Sequence, residues 1–382
     1  MNKGSGEVGL YIHIPFCRRK CIYCDFTVID TGNKDKLPLF EEYMNCVGVE
    51  MSLRLSDCQK VRTVYIGGGT PSLIGLELLT KLVENLSKYV DIASLSEFTI
   101  EANPEDVTDD FAKVVEKLGI NRVSLGVQSM SDGVLNFLSR RNTRSINERA
   151  IKILQDVGIT NINCDVIFDV PSSTTADLVE TLERLVRFNI PHISAYGLTI
   201  ERFTPLSVFV EKGLVVPRDN FQEEFILVHR LLTENGFIHY EISNYAKEGF
   251  ESKHNMMYWS KSEYVGLGLG ACGFVGNRRY QNEISFKKYK EKVLGKMLPT
   301  MMEEEIDVVK SYEETVMLGI RKRDGFSVED VRKLVGEERV RKFLQKVELF
   351  KGEYLKVFDG RVIPTLKGWI FSDYIVRELT SV

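Results

Sequence analysis

The sequence has no apolar run near the ~20 residues that cross a bilayer, because glycine or charge interrupts every hydrophobic stretch. That leaves no candidate for a membrane-spanning helix. It has no basic excess either. Against 50 Lys and Arg stand 54 Asp and Glu, for a formal charge of −4, without the basic footprint that bulk nucleic-acid binding leaves. With 43% hydrophobic and 27% charged residues over 382 positions, a disordered, collagen-like or mucin-like chain is excluded. The start, Met1 to Val8, is polar and glycine-rich and lacks the apolar centre of a signal peptide. The expectation is a cytoplasmic protein.

Cysteine is scarce, and unevenly so. The seven are Cys17, Cys21, Cys24, Cys46, Cys58, Cys164 and Cys272. An odd number spread over so long a chain does not make a secreted disulfide scaffold. Three crowd into Cys17-Arg-Arg-Lys-Cys21-Ile-Tyr-Cys24, a C-x3-C-x2-C loop. Thiolates are soft ligands that suit zinc or iron–sulfur clusters. A structural zinc wants four protein ligands, and Cys46 and Cys58 have no paired spacing. Three thiolates on a four-iron cluster would leave one iron open for a substrate, so the spacing favours a cluster over a zinc knuckle. Arg18, Arg19 and Lys20 are expected to lower the neighbouring thiol pKa values and favour ligation.

Short apolar runs recur through the first half: Leu10–Ile14, Thr63–Ile66, Phe98–Glu101, Arg122–Val127, Asn161–Val170 and Ile193–Leu198. Each is bounded by turn signals, as buried parallel strands are. Amphipathic helical patterns lie between them, at Glu105–Leu118, Ser145–Val157 and Thr174–Phe188, with capping residues at their starts and glycine after two of them. Alternating strands and helices give a parallel sheet or barrel. Six strands fall short of a closed eight-stranded barrel.

Three units are expected: residues 1–245 as a partial barrel, 246–300 as a connecting region with a Gly-rich stretch, and 301–382 as a small C-terminal domain. The last reads as helices over Ile306–Arg321, Val328–Leu334 and Glu337–Val347, a hairpin at Asp359-Gly360, and a final helix over Leu366–Leu379. That pattern is winged-helix-like. From residue 301 onward it carries 15 basic and 16 acidic side chains, which disfavours DNA reading and, with it, a zinc-bearing transcription regulator. A packing or lid role is expected.

The stretch from Tyr11-Ile12-His13-Ile14-Pro15-Phe16 through Cys17, Cys21, Cys24 and Asp25-Phe26 resembles the radical S-adenosylmethionine (SAM) superfamily. Within it, the sequence is similar to the oxygen-independent coproporphyrinogen III oxidase group, from Tyr11 through the C-terminal unit. The resemblance implies an α/β fold, a partial (β/α)6 TIM-like barrel of the radical SAM type, with the cluster loop at the C-terminal mouth of the strands. It implies a [4Fe–4S] cluster on Cys17, Cys21 and Cys24, with SAM on the open iron, and one-electron cleavage of SAM to a 5′-deoxyadenosyl radical. An electron donor such as flavodoxin or ferredoxin is implied as well.

The family uses the element matching Gly67-Gly68-Gly69-Thr70 for the SAM amino group, and glycines do let backbone approach a charged cofactor. Tyr11, Gly68 and Glu101 match a first SAM position. Gly69, Thr70, Gln128, Arg140 and Asp165 match a second, with Arg141 adjacent to Arg140. The chain departs from the family where Asp169 and Ser173 replace a usual Gly and Gln, and the extra carboxylate is expected to alter the pocket floor.

Two branches share this framework. The oxidase branch carries a fourth cysteine and a long N-terminal extension. Here Asp25 follows Cys24, and only ten residues precede Tyr11, as in the heme-chaperone branch. That branch also carries His-Asn-x-x-Tyr-Trp, here His254 to Trp259. Neutral imidazole ligates heme and aromatic rings pack on porphyrin faces, so the resemblance makes His254 a candidate heme ligand. His13, His192, His229 and His239 read as packing or hydrogen-bonding residues. The expectation is a protein that holds heme and passes it to acceptor hemoproteins. The alternative is oxidative decarboxylation of a porphyrinogen, coproporphyrinogen III.

Overall fold

A computed structural model describes residues 7–32, 36–55 and 60–381. Cys58 and the first six residues of the polar start lie outside them. The six expected strands form: β1 (Val8–Ile14), β2 (Val61–Gly68), β3 (Glu97–Ala102), β4 (Arg122–Gln128), β5 (Ile162–Phe168) and β6 (His192–Gly197). They are neighbours in that order and all parallel. Their outward residues, such as Leu10, Val64, Ile100, Val123 and Cys164, are buried under the surrounding helices. The inward ones are largely polar, which is what makes a site out of the barrel interior.

A seventh parallel strand, β7 (Tyr264–Leu267), adds to the free side of β1. It comes from the Gly-rich stretch that the sequence reading left without structure. The chain turns straight back from it into the antiparallel strand Cys272–Val275. A Cβ on Gly266 would sit 1.9 Å from the Cys272 carbonyl oxygen, so only glycine permits this approach.

Helix starts follow side-chain caps more closely than apolar period. Pro104–Asp106 makes a single 3-10 turn, and the helix Asp109–Lys117 begins only where Thr108 accepts the Phe111 N–H. Thr143 caps Arg144–Val157, one residue ahead of the expected Ser145 start. Thr174 and Asp177 form a reciprocal capping box on Thr175–Arg187. Such caps contribute about 1 kcal/mol each.

The large sheet stays open. It runs through 12 strands from Thr300–Glu305 at one edge to Ile238–Glu241 at the other. The strand Thr300–Glu305 crosses the expected 300/301 boundary and belongs to the sheet. Residues from Tyr312 to Leu379 then build a separate core. There the helix Val328–Phe350 kinks at Gly336 (φ 76°). Asp359 and Gly360 take the two positive φ values of a tight hairpin turn. The final helix breaks at Phe371 into Leu366–Ile370 and Ser372–Thr380.

This unit covers the Ile238–Glu241 edge. The Ile242 N–H donates to the Arg321 carbonyl (2.9 Å) and the Arg323 N–H to that of Tyr240 (3.0 Å). Trp369 packs into the barrel's own core and lies 4.2 Å, ring to ring, from His239. Among the described residues no helix is long and apolar enough to cross a membrane.

On the opposite side, the helix Leu37–Arg54 is held by a buried carboxylate. Glu50 Oε1 accepts from Arg54 Nε (3.0 Å) and Asn282 Nδ2 (2.7 Å). Its Oε2 accepts from the Gly268 N–H (2.8 Å) and the Tyr289 hydroxyl (2.7 Å).

Candidate functional site

The cysteine loop leaves the C-terminal end of β1 and is pinned at both feet. Phe16 and Cys17 pair with Ile29 and Asp30 in a two-residue parallel ladder. His13 hydrogen-bonds through Nε2 to the Thr27 carbonyl (3.0 Å), which fixes the tautomer in which Nδ1 accepts from the Tyr11 hydroxyl (2.9 Å). The loop therefore presents its side chains over the barrel mouth from a closed frame.

Beneath it lies a cavity of about 430 Å³. Cys17, Cys21 and Cys24 line it together with Gly68, Gly69, Thr70, Glu101, Gln128, Arg140, Arg141 and Asp165. Residues more than 140 positions apart in the chain thus share one space. Tyr11 and His254 do not line it.

Among the described residues, no three Cys, His, Asp or Glu side chains converge on a point where one ion could sit. A four-iron cluster takes one thiolate per iron corner around a common space, and Cys17, Cys21 and Cys24 all line this one cavity.

A polar chain joins two of the three thiols. Cys17 Sγ lies 3.5 Å from Thr70 Oγ1, which accepts from Asn103 Nδ2 (3.2 Å). Arg140 Nη2 donates to Asn103 Oδ1 (2.7 Å) and the Gly126 carbonyl (2.8 Å), and its Nη1 stands 3.7 Å from Cys21 Sγ. The expected lowering of the thiol pKa values is not found at Cys17 or Cys24. Burial pushes the Cys17 thiol up to about 11 and raises Cys24 as well. Arg18 reaches Asp106 (3.8 Å) and Lys20 the Phe26 carbonyl (3.4 Å), and the pull of Lys20 on Cys24 is outweighed by burial.

Glu101 is aimed from the end of β3. Its Oε1 accepts from the Tyr65 hydroxyl (2.8 Å) and its Oε2 from the Gly68 N–H (2.9 Å). Burial raises its carboxyl to about 7 against the pull of those donors. Gly68 has φ 119°, and a Cβ there would strike the His13 ring at 2.6 Å, so this approach also requires glycine. Gln128 sits after a register shift in β4 with φ 64°. Bulges and left-handed non-glycine residues cluster where a side chain must be re-aimed, and here Gln128 is turned into the cavity. Asp165 accepts from Asn163 Nδ2 (2.8 Å) and Ser124 Oγ (3.4 Å), and burial raises its carboxyl.

The departure at Asp169 and Ser173 does not touch the cavity floor. Asp169 has φ 58° at the usual glycine position, a conformation Asp tolerates better than most residues. Its Oδ1 accepts the Asn220 N–H (3.2 Å), and Ser173 Oγ accepts from Arg218 (2.7 Å).

His254 lies below the cavity, 1% exposed. Its Nδ1 meets the Thr63 hydroxyl (2.8 Å) and its Nε2 the Tyr258 hydroxyl (2.7 Å). Both ring nitrogens are engaged, so in this conformation neither offers a lone pair to an iron. The helix Lys253–Trp259 that carries it plugs the N-terminal end of the strands. Glu97 caps that helix, accepting the N–H groups of Lys253 (2.7 Å) and His254 (3.1 Å). Tyr11 instead lines a second cavity of about 480 Å³, with Phe26, Tyr258, Tyr264, Cys272 and Phe274. Gly68 and Glu101 border both spaces.

Several cavity residues escaped the sequence reading: Tyr65, Asn103, Arg122, Asn163, Ser194, Tyr196 and Asn255. All but Asn103 and Asn255 sit at alternate, inward positions of strands read only as apolar runs. A charge opening an otherwise buried strand, as Arg122 does, was the available signal.

Comparison with known proteins agrees with this geometry. Residues 11–185 match the radical SAM superfamily model. The chain is 34% identical over 351 residues to the heme chaperone HemW of Lactococcus lactis, covering 88% of this chain and 89% of that protein. It is 33% identical over 322 residues to HemW of Bacillus subtilis, covering 83% and 84%. With HemW of Mycobacterium tuberculosis the identity is 32% over 376 residues, covering 97% and 94%. Among solved structures, coproporphyrinogen III oxidase (HemN) of Escherichia coli superposes with a TM-score of 0.84 over 100% of this chain and 92% of that one. Its sequence identity is 17%, so that likeness speaks to the fold alone.

Proposed function

Because the chain belongs to the radical SAM superfamily and, within it, to the HemW group, we propose that it holds heme and delivers it to acceptor hemoproteins in the cytoplasm, on a barrel that carries a [4Fe–4S] cluster and SAM. The observation that carries this reading is the second cavity. The rings of Tyr11, Phe26, Tyr258, Tyr264 and Phe274 share its wall with the charged Glu101, Lys261, Arg279 and Glu314, and Tyr258 and Tyr264 are in edge contact at 4.6 Å. Such rings suit the apolar faces of a macrocycle, and the space adjoins the cysteine cavity through Gly68 and Glu101.

Cys17, Cys21 and Cys24 would hold the cluster. Bound there, it supplies an electron and an open iron for SAM. The protein's part is position and seclusion. Tyr65 and the Gly68 N–H orient Glu101 toward the cofactor space. Arg140, steadied by Asn103 and the Gly126 carbonyl, keeps a cation beside Cys21. Gln128 and Asp165 complete the wall on the β4–β5 side. An electron donor such as flavodoxin or ferredoxin would approach the exposed face of the cysteine loop.

The test is anaerobic reconstitution with iron and sulfide, followed by hemin titration and transfer to an apo-hemoprotein. Wild-type protein is expected to take up about four irons, bind hemin and release it to the acceptor, and Cys21→Ala to lose the cluster absorption. Cluster-loaded protein that ignores hemin overturns the reading. So does protoporphyrinogen made from coproporphyrinogen with SAM and reductant, which would make it an oxidase.

A further inference from the structure

The second cavity has two unlike ends, and strand register tells them apart. Gly68 lies opposite Ile14 on β1, and Tyr264 lies opposite Gly9. Five residues of β1 separate the two positions, about 16 Å of strand. At the Gly68 end the cavity meets the cysteine cavity, with Glu101 on the border. At the other end Phe274 pairs with Tyr264, and Arg279 pairs with Phe274 on the next strand, Arg278–Asn282.

This far end carries two cations and one carboxylate: Lys261, Arg279 and Glu314. Arg279 Nη1 donates to Glu314 Oε1 (2.7 Å), and the guanidinium also bonds the Tyr264 hydroxyl. Its centre stands 5.8 Å from that of the Phe274 ring, so the charge borders the aromatic wall. Lys261 Nζ lies 3.7 Å from Glu314 Oε2 and donates to the Ser311 carbonyl (2.9 Å) and hydroxyl (2.8 Å). Glu304 comes within 3.6 Å of Arg279, but Lys310 holds its other oxygen at 2.7 Å. Glu314 and Ser311 sit on the helix Val308–Arg321 of the terminal unit. The two cations sit on the barrel side.

One carboxylate is therefore shared between two cations. A buried carboxylate that loses its only cation is strongly destabilised, but Glu314 can release Arg279 and keep Lys261. A second carboxylate at Arg279 would then leave two cations matched by two anions. The ion pairs of Arg279 use Nη1 alone, whereas a guanidinium takes a free carboxylate through two parallel hydrogen bonds. A ligand with a flat apolar body and an acid edge fits this layout. Tyr258, Tyr264 and Phe274 meet the body, and Arg279 meets the acid.

We propose that Arg279 receives a propionate of the tetrapyrrole at the far end of the second cavity, in exchange for Glu314. The inference rests on the function proposed above and adds the group that reads the ligand's acid edge. Glu314 is then a resident competitor supplied by the terminal unit. It holds the guanidinium in the empty protein and returns to it as the ligand leaves, which favours release to an acceptor.

The test measures equilibrium binding of hemin and hemin dimethyl ester to reconstituted wild-type, Arg279→Gln, Arg279→Lys and Glu314→Gln proteins. Wild type is expected to prefer hemin to its ester. Arg279→Gln should weaken hemin by about 10-fold or more, as loss of a charged hydrogen bond does, and leave the ester unchanged. Arg279→Lys should keep part of the preference. Glu314→Gln removes the competitor, so it should tighten hemin by about 2- to 5-fold and slow its passage to an apo-hemoprotein. Arg279→Gln that weakens hemin and ester alike makes Arg279 a support of the wall and overturns the proposal. Hemin affinity that does not rise in Glu314→Gln overturns the exchange. Should Arg279→Gln fail to fold, Arg279→Lys and the wild-type ester comparison decide. A wild type that binds hemin and ester equally leaves the heme reading standing and overturns the role of Arg279. A wild type that binds neither sinks the heme reading, and this inference with it.

Discussion

Glu50 and Arg122 are both buried ions, 0% and 2% exposed, and the molecule treats them in opposite ways. Each Glu50 oxygen receives two donors, drawn from a helix, a turn, a strand and a second helix. Nothing is left for a ligand, and the carboxylate acts as a clamp between the helix Leu37–Arg54 and the strands beyond β7. Arg122 faces a cavity with its Nε unmatched. The difference separates two uses of interior polarity. Where donors and acceptors balance, the network specifies structure. Where they do not, the polarity lines an open space.

Breaking the Glu50 clamp should have the largest effect. Glu50→Ala strands the Arg54 cation and three further donors, and is expected to cost about 3–5 kcal/mol in urea denaturation. A variant with wild-type stability would remove one side of the contrast. His254 comes next. With both nitrogens matched it sorts with Glu50, so His254→Ala should cost about 1–3 kcal/mol by orphaning Thr63 and Tyr258, with hemin affinity retained. Lost hemin binding at unchanged stability would return His254 to the ligand role its motif suggested.

Arg122→Met should behave differently from both. In the apoprotein it removes an unmatched charge rather than a matched one, and stability is expected to move by less than about 1 kcal/mol. A loss as large as that of Glu50→Ala would show that the two sites do not differ. The smallest effect is a pH slope. Burial pushes the Glu101 carboxyl up to about 7 from the ordinary 4.5 of a glutamate, so the folded state holds the proton more tightly. Its contribution to stability is full below about 4.5 and is lost as pH rises through about 7. Glu101→Gln should flatten that part of the apoprotein's pH–stability curve, seen by chemical denaturation at several pH values. An unchanged slope would mean that the carboxyl is not held as described.

Much of this was legible because it is local. The cysteine spacing and the glycine run are contiguous signatures, and the six core strands announce themselves by outward Val, Ile and Leu. The Asp359-Gly360 turn and the Gly336 break between helices are likewise written in single residues. What stayed hidden depends on partners far apart in sequence. Glu50 meets Gly268, Asn282 and Tyr289 across more than 200 positions, and no local pattern reports that. β7 hides because its pairing rests on absent side chains, and absent side chains also read as a loop. Arg122 hides because one charge at the start of a strand looks like solvent-facing punctuation. The thiol pKa values were misjudged for a related reason: sequence shows the flanking cations but neither where they point nor how deeply the sulfurs sit.

The C-terminal unit's grip on the strand Ile238–Glu241 carries a consequence for how the molecule lives among its own copies. An unfinished barrel has a raw border, and main-chain groups along it would welcome a strand from any neighbour. By taking up the Tyr240 carbonyl and the Ile242 amide, and by laying Trp369 against His239, the terminal domain hems that border. A chain cut short before Val308 would keep the lining of the cysteine cavity but lose Glu314 and Leu318 from the second one and leave that border bare, so the terminal domain both finishes a wall and covers an edge.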